Sequence, residues 1–379
     1  MTACLGVGGQ WTATELTSEA SRVSSGLGIS YTAVSAPPTS IIIMAQARSG
    51  SSMLGEFFRQ NEEVLYWYEP CMWAVRGKPL MGKECLKLMR RIVECDFTME
   101  DSKGFMKDPN IKRRGSARLR PFYSGQSLEQ AHQEVMSNCK NSRAVVVKSV
   151  RLPEGIGAED ELAPGTFVLH LVRDPRAVAR SEILTINNLG VDAHDRVSKA
   201  GAAGLLVCTR YKKQLDSAAK LTMNRHLRLK YEDLATSPEL AANLIYVWSG
   251  IRPIPPSVLN WIDHNTKLPG CEHGTRHLAT DAENVGNSAF AEPDGSEGGV
   301  PAVSTANATF NVGPDEHDDG PRTVLCSQNT RMERRRYGTK RDFATIVSMW
   351  RTQMPKDEAM AVWEACEASG VMREFGYDL

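Results

Sequence analysis

The chain has 379 residues, with 45 Lys and Arg against 45 Asp and Glu, so its formal charge is zero. Apolar residues make up 41% and charged residues 24%, globular proportions that exclude a wholly disordered chain, a collagen-like repeat and a coiled-coil rod. Zero net charge also argues against a simple nucleic-acid binder, which carries a basic excess.

Length is compatible with two or three domains, or with one large α/β domain carrying insertions. Residues 1–38 are rich in Ser, Thr, Gly and Ala, end at Pro37-Pro38, and read as a weakly ordered leader. They contain no basic stretch followed by an apolar one, so no signal peptide is expected there. The apolar run Ile41 to Ala45 is far shorter than the roughly 20 residues of a membrane span, so no membrane anchor is expected either.

Ile41 to Met44 has the composition of a short buried strand; a Gly/Ser turn and the apolar-periodic segment Met53 to Phe58 then give strand, loop and helix. Val64 to Tyr68 is a second strand, stopped by Pro70, and a helical stretch follows near 80–95. Beyond a basic segment at 107–120, Ser127 and Gln130 form a capping-box pattern that opens a helix running to about Cys139. Ala144 to Val147 and Phe167 to Val172 are continuous apolar strands, the pattern of a parallel sheet covered on both faces. Helices are expected at 175–188 and 201–220, then a strand at Leu227 to Tyr231. Thr236-Ser237-Pro238-Glu239 predicts a helix start with Pro in the first turn and a capping box. The final helices fall at about 342–351 and 356–370. Alternation of strand and helix gives an α/β fold with a mainly parallel sheet.

Residues 272–335 break this pattern. The block 281–320 has nine acidic residues, no Lys or Arg, and only Phe290 and Phe310 as aromatics. It cannot bury enough apolar area to offset its ordering entropy, and reads as a disordered insertion. Without that block, 45 basic residues face 36 acidic ones. The neutrality of the whole is therefore a cancellation, and the remaining body is basic enough to suit anionic ligands.

Nine cysteines are present, none in a CxxC pair, so a zinc or thioredoxin-type site is not indicated. Their number is odd and their spacing wide, and the sequence leaves the pairing open. Disulfides would follow if the chain is lumenal, a setting that the acceptor tripeptide Asn307-Ala308-Thr309 would also fit.

Two segments carry anion chemistry. Arg48-Ser49-Gly50-Ser51-Ser52 lies between a buried strand and a helix, where backbone N–H groups and the positive end of a helix dipole converge. A Walker A loop would need GxxxxGK[ST], and this loop has neither that spacing nor the Lys. The alternative is an ordinary turn before a helix. In Leu171 to Ser181 a buried strand ends directly in Arg173 and a helix begins at Pro175; Ser181 stands about two turns further on. Arg173 thus occupies the carboxyl end of a strand, where ligands of open α/β sheets bind. The alternative is an Arg-Asp pair capping a helix.

Together these segments resemble the sulfotransferases that use 3′-phosphoadenosine 5′-phosphosulfate (PAPS), in particular the Golgi carbohydrate 6-O-sulfotransferases acting on galactose, N-acetylglucosamine or N-acetylgalactosamine. Ala47 to Asn61 is similar to that family's 5′-phosphosulfate loop and its helix; Tyr68-Glu69-Pro70 to its aromatic-Glu-Pro element; and Leu171 to Ser181 to its 3′-phosphate motif. Cys95-Asp96-Phe97, Val147 to Leu152, Lys230 to Leu234, Trp350-Arg351, Cys366 and Phe375-Gly376-Tyr377 follow in family order. The resemblance spans roughly 41–270 and 337–379, and departs from the family in the missing anchor and the 272–335 insertion.

The resemblance implies a three-layer, P-loop-NTPase-like α/β fold with a mainly parallel central sheet flanked by helices. It assigns Arg48, Ser49, Gly50, Ser51, Ser52 and Met53 to the 5′ end of PAPS, Arg173 and Ser181 to the 3′-phosphate, and Arg341 to the donor site. Glu69 is the candidate base for the acceptor hydroxyl, with a structural ion pair as its alternative. Lys148 and Arg151 are candidates for the bridging oxygen or an acidic acceptor, with salt bridges as theirs. No metal is expected, because Arg, Lys and backbone donors can hold a sulfuryl group. The implied partners are a glycan acceptor and no nucleic acid, with membrane contact only through an anchor outside this sequence; the implied setting is the Golgi lumen. No oligomeric state is implied. A metal-dependent P-loop kinase and a non-catalytic glycan-binding descendant of the fold are the competing classes. His170, inside a strand, reads as a satisfied core histidine, and Tyr231-Glu232-Asp233 as a strand end that stabilises a helix start. The basic runs at 112–120 and 331–341 read as solvated faces.

Overall fold

The computed structural model describes residues 3–5, 9–11, 37–72, 79–156, 161–185, 195–266 and 343–378. The chain divides into two units, residues 1–268 with 334–379, and residues 269–333. The second unit lies outside the described residues, as do the whole of the acidic insertion expected at 272–335 and most of the leader. Within the leader, β1 (Ala3–Leu5) pairs antiparallel with β2 (Gly9–Trp11).

The centre of the first unit is a five-stranded sheet in the order β4-β5-β3-β6-β7, formed by β3 (Thr39–Ala45), β4 (Val64–Tyr68), β5 (Ala144–Ser149), β6 (Phe167–Val172) and β7 (His226–Lys230). Every pairing within it is parallel. The strand side chains alternate between two buried clusters. Ile42, Met44, Leu65, Trp67, Val145 and Val147 face one layer; Ile41, Ile43, Val64, Tyr66, Val146 and Leu169 face the other. A parallel sheet covered on both faces needs apolar residues at every position, which is why these strands carry unbroken Ile and Val runs.

On the first face lie α2 (Gly82–Val93), α3 (Met99–Met106), α4 (Pro109–Arg114) and α5 (Leu128–Lys140). The second face is covered by α1 (Ser51–Arg59), α8 (Tyr231–Thr236), α9 (Pro238–Trp248) and α10 (Pro256–Thr266). A third cluster joins α6 (Pro175–Thr185), α7 (Arg196–Ala218), α11 (Phe343–Gln353), α12 (Lys356–Glu367) and α13 (Val371–Glu374). This is the three-layer α/β arrangement that the sequence implied.

Local chemistry explains most boundaries. The capping box at Ser127 forms as expected, with Gln130 N donating to Ser127 Oγ at 3.2 Å. The one expected at Thr236 to Glu239 does not form. Thr236 closes the last turn of α8, its Oγ1 donating to Glu232 O at 2.9 Å, and Ser237 leaves α9 without a side-chain cap. Tyr231 begins α8 rather than ending β7. Three disulfides join Cys71 to Cys85, Cys95 to Cys139 and Cys208 to Cys366. The last ties α7 to α12.

His170 is fully buried in the core as expected; among the described residues its ring nitrogens meet no partner at close hydrogen-bonding geometry, and the Gln214 side chain is the polar group that interacts with it. Burial, with His226 5.8 Å away between ring centroids, pushes the His170 ring down to about 3. The folded chain thus resists a proton that the unfolded chain takes up near pH 6.5, so stability falls as pH drops from about 6.5 towards 3. His170→Leu removes the buried ring but also its interaction with the buried Gln214 amide, so Tm at neutral pH should change little. It should, however, flatten the loss of Tm between pH 6.5 and 4; an unchanged pH dependence of Tm contradicts this.

Candidate functional site

All five central strands run the same way, so the segments leaving β3, β4, β5 and β6 emerge at one edge of the sheet. The register fixes their levels: Met44 faces Ser149 on β5 and His170 on β6, while Tyr68 faces Lys148. The first two anion-binding candidates follow the central strand and its neighbour, and the third group follows β4 and β5.

After β3 the chain turns back on itself. Gln46 Nε2 donates to Val207 O on α7 at 2.8 Å, and Ser49 Oγ donates to Gln46 O at 2.7 Å. Arg48 and Gly50 both take left-handed backbone angles, φ 66° and 89°. α1 then begins at Ser51 with no side-chain cap, leaving its first amides to any external acceptor. Uncapped amides and the positive end of the helix dipole suit an anion here. Gly50 is required for a second reason. A Cβ there would stand 2.2 Å from Tyr231 Cδ2, because the tyrosine ring lies directly against the loop.

The segment after β6 meets this loop. Arg173 Nη1 donates to Arg48 O at 3.0 Å, and its guanidinium lies 4.4 Å from the centre of the Tyr231 ring. In turn, Arg48 Nε donates to Ser181 Oγ on α6 at 2.8 Å. Arg48, Arg173 and Ser181, assigned by sequence to two motifs 133 residues apart, therefore form one cluster around Tyr231. Arg173 Nε is buried with no hydrogen-bond partner among the described residues, which fits an anion between these groups.

The third group lies where β4 and β5 end. Glu69, with φ 48°, donates its backbone N–H to Lys148 O at 2.9 Å. Its carboxylate Oε1 accepts a hydrogen bond from Lys148 Nζ; the lysine side chain is 1% exposed and the glutamate 10%. The lysine ammonium also sits 4.4 Å from the centre of the Tyr68 ring, and the Tyr68 hydroxyl is 3.2 Å from Ser52 Oγ. A continuous polar path thus runs from the loop at 48–52 through Tyr68 and Lys148 to Glu69. Burial raises the Glu69 carboxyl, but Lys148, aided by Arg151 and Tyr68, outweighs it and holds the group below its ordinary value. Glu69 is therefore anionic at neutral pH.

Among the described residues three non-glycine residues have left-handed φ: Arg48, Glu69 and Cys95. Two of the three stand at this edge, as strained backbone at functional sites often does. Of the expected site residues, Arg48, Ser49, Gly50, Ser51, Ser52, Met53, Arg173, Ser181, Glu69 and Lys148 all fall here, with Met53 itself buried in the core under the loop. Arg341 lies outside the described residues. Arg151 turns its guanidinium to the sulfurs of Met72 and Met81.

Two contributors escaped the sequence reading. Tyr231 contacts both anion motifs, a role that its place in a strand-to-helix junction does not signal. Asp108 caps α4, and burial pushes its carboxyl up to about 6 with Glu69 adding to the shift; its Oδ2 is buried without a partner. Among the described residues no group of three or more His, Cys, Asp or Glu could hold a metal ion. A surface depression lined by Leu162, Gly165, Thr222 and Arg225 lies at the opposite, amino-terminal ends of β6 and β7 and contains none of these groups.

The family model described as "Sulfotransferase family" matches residues 38–255, which include every strand and loop of this edge. The chain belongs to the sulfotransferase family. It is 25% identical over 293 residues to carbohydrate sulfotransferase 4 of Mus musculus, covering 65% of this chain and 74% of that protein. To carbohydrate sulfotransferase 3 of Tetronarce californica it is 27% identical over 279 residues, covering 60% of this chain and 62% of that protein. Among solved structures it is similar to the sulfotransferase domain from the curacin biosynthetic pathway, with a TM-score of 0.36 and 18% identity, covering 59% of this chain and 78% of that one.

The contact between Gly50 and Tyr231 makes a direct test of whether this loop binds a nucleotide. Gly50→Ala forces both an L-residue into a left-handed turn and a methyl group into the Tyr231 ring. Affinity for 3′,5′-ADP, measured by titration calorimetry, should fall at least ten-fold while the circular dichroism spectrum is retained. Wild-type affinity in this variant would remove the loop from the nucleotide site.

Proposed function

We propose that this sulfotransferase moves the sulfuryl group of PAPS to a sugar hydroxyl, a 6-hydroxyl of galactose, N-acetylglucosamine or N-acetylgalactosamine within a glycan. The observation that carries the donor assignment is the single cluster of Arg48, Arg173 and Ser181 beside an uncapped helix start. PAPS has two anionic ends, and this edge offers donors suited to both. The loop amides at 50–52 and the Ser51 and Ser52 hydroxyls suit the 5′-phosphosulfate, while Arg173 and Ser181 suit the 3′-phosphate. The names of the relatives, together with the basic body left once the acidic block is set aside, support a carbohydrate acceptor.

In this reading PAPS supplies an activated sulfuryl group whose bond to the phosphate oxygen breaks as a bond to the acceptor oxygen forms. Glu69 takes the proton of the acceptor hydroxyl at its carboxylate. Lys148 holds that carboxylate anionic before the acceptor arrives, and in this reading its ammonium, linked to the loop through the Tyr68 ring and the Tyr68–Ser52 contact, also serves the bridging oxygen of the donor. The product 3′,5′-ADP retains both anionic contacts. Three disulfides support an oxidising compartment, and with the family resemblance this favours the Golgi lumen.

Labelled PAPS and a panel of keratan- and chondroitin-type acceptors test the reaction, with disaccharide analysis reading the position of the ester. Absence of incorporation together with absence of 3′,5′-ADP binding would sink the proposal. Glu69→Gln should lower kcat by roughly two or more orders of magnitude with little change in donor affinity; near wild-type turnover removes Glu69 as the base. Because the Glu69 carboxyl is held low, the acidic limb of kcat/KM that depends on it should lie below pH 4.5. Arg173→Ala should weaken donor binding instead, and unchanged affinity refutes its role at the 3′-phosphate.

A further inference from the structure

The turn Arg173-Asp174 leaves β6 carrying the arginine assigned to the donor, yet much of what fixes it lies far along the chain. Asp174 N donates to Glu232 Oε1 at 3.1 Å, and the other oxygen of that carboxylate accepts from the Tyr377 hydroxyl at 2.7 Å. The Asp174 carboxylate is paired with Arg176, whose Nε and Nη2 reach its two oxygens at 3.1 and 2.9 Å. Arg176 Nη2 also donates to the Asp378 carbonyl at 2.7 Å. Arg173 N donates to Tyr211 Oη at 3.1 Å, and the Tyr211 ring meets Phe375 edge to face at 5.1 Å.

Three separate routes thus lead from the segment Phe375–Asp378 to the same two-residue turn. Each passes through a buried or largely buried side chain: Glu232, Arg176 or Tyr211. We propose that Phe375–Asp378 is a positioning element of the donor pocket, with Tyr377 acting through Glu232 to hold the Arg173-Asp174 turn where its guanidinium can grip the 3′-phosphate of PAPS. The inference rests on the donor reading given above.

Burial holds the Glu232 carboxyl above its ordinary value, and the hydrogen bonds from Tyr377 and from Asp174 N offset only part of that rise. The carboxylate therefore depends on both donors, and losing one leaves a buried acceptor unpaired. A guanidinium that must meet a phosphate squarely is sensitive to shifts of well under an ångström in its own backbone, so a loosened turn costs affinity without touching the ligand.

The test is nucleotide selectivity in the whole chain. Titration calorimetry with 3′,5′-ADP and with 5′-AMP, which lacks the 3′-phosphate, is run on wild type, Tyr377→Phe, Arg173→Ala and Lys87→Ala. Tyr377→Phe should weaken 3′,5′-ADP by about three- to ten-fold and leave 5′-AMP unchanged. Lys87→Ala breaks an exposed ion pair with Glu84 on α2, outside all three routes, and should change neither. If Tyr377→Phe binds 3′,5′-ADP like wild type, or loses both nucleotides equally, the positioning role is overturned. If Arg173→Ala loses 3′,5′-ADP selectively while Tyr377→Phe does not, only this inference fails. A wild type that does not prefer 3′,5′-ADP to 5′-AMP overturns the donor reading itself. Glu232→Gln, of equal volume, repeats the measurement should Tyr377→Phe fold poorly, and must show the same selectivity.

Discussion

Strand β3 is hydrogen-bonded in parallel on both sides, to β5 and to β6, and the functional edge depends on that pairing. Parallel neighbours deliver their outgoing loops to the same end, and register sets how far each projects. Because Met44 stands level with both Ser149 and His170, the loop after β3 emerges between the ends of its partners. Arg48 can therefore meet Ser181 and Arg173 without any long side-chain excursion. The buried alternation of Ile41, Ile42, Ile43 and Met44 locks that register, since a slip of one residue would exchange the two core faces.

The edge is organised by charge pairing as much as by backbone. Lys148 and Glu69 neutralise one another out of solvent, and Asp174 and Arg176 do so again, each of the latter two with a side chain 3% exposed. Buried pairs of this kind contribute little net stability, but removing either partner strands a charge and costs about 3–5 kcal/mol. They act as fixed points. Between them, the groups suited to external anions keep unused capacity, as the unpartnered Nε of Arg173 and the uncapped start of α1 show. The Asp174–Arg176 pair thus only fixes the backbone, whereas the Lys148–Glu69 pair also holds ready the carboxylate proposed to meet the acceptor.

Much of this was legible in the sequence. Unbroken apolar runs such as Phe167 to Val172 state a strand buried on both faces, and that strand has the bounds the sequence predicted. The Gly/Ser turn and the arginine ending β6 were visible because each motif is contiguous. What stayed hidden was contact across long separations. Tyr231 reaches Gly50 and Arg173 only once β7 is laid beside β6, and the family-order match of Lys230 to Leu234 does not signal that contact. The cap expected at Thr236 failed because a short helix, α8, had already claimed that residue for its last turn. Short helices such as α8 and α4 lack the length over which periodicity can be read.

The Cys208–Cys366 bond closes a loop of chain with a sequence separation of 158 residues. The whole unit 269–333 falls inside that loop. A single protease cut anywhere in that unit therefore breaks the polypeptide without parting its pieces. The fragment bearing Tyr377 and Asp378 remains covalently fastened to α7, beside the turn it braces, for as long as the surroundings stay oxidising. Scission and dissociation become separate events, with reduction as the second key.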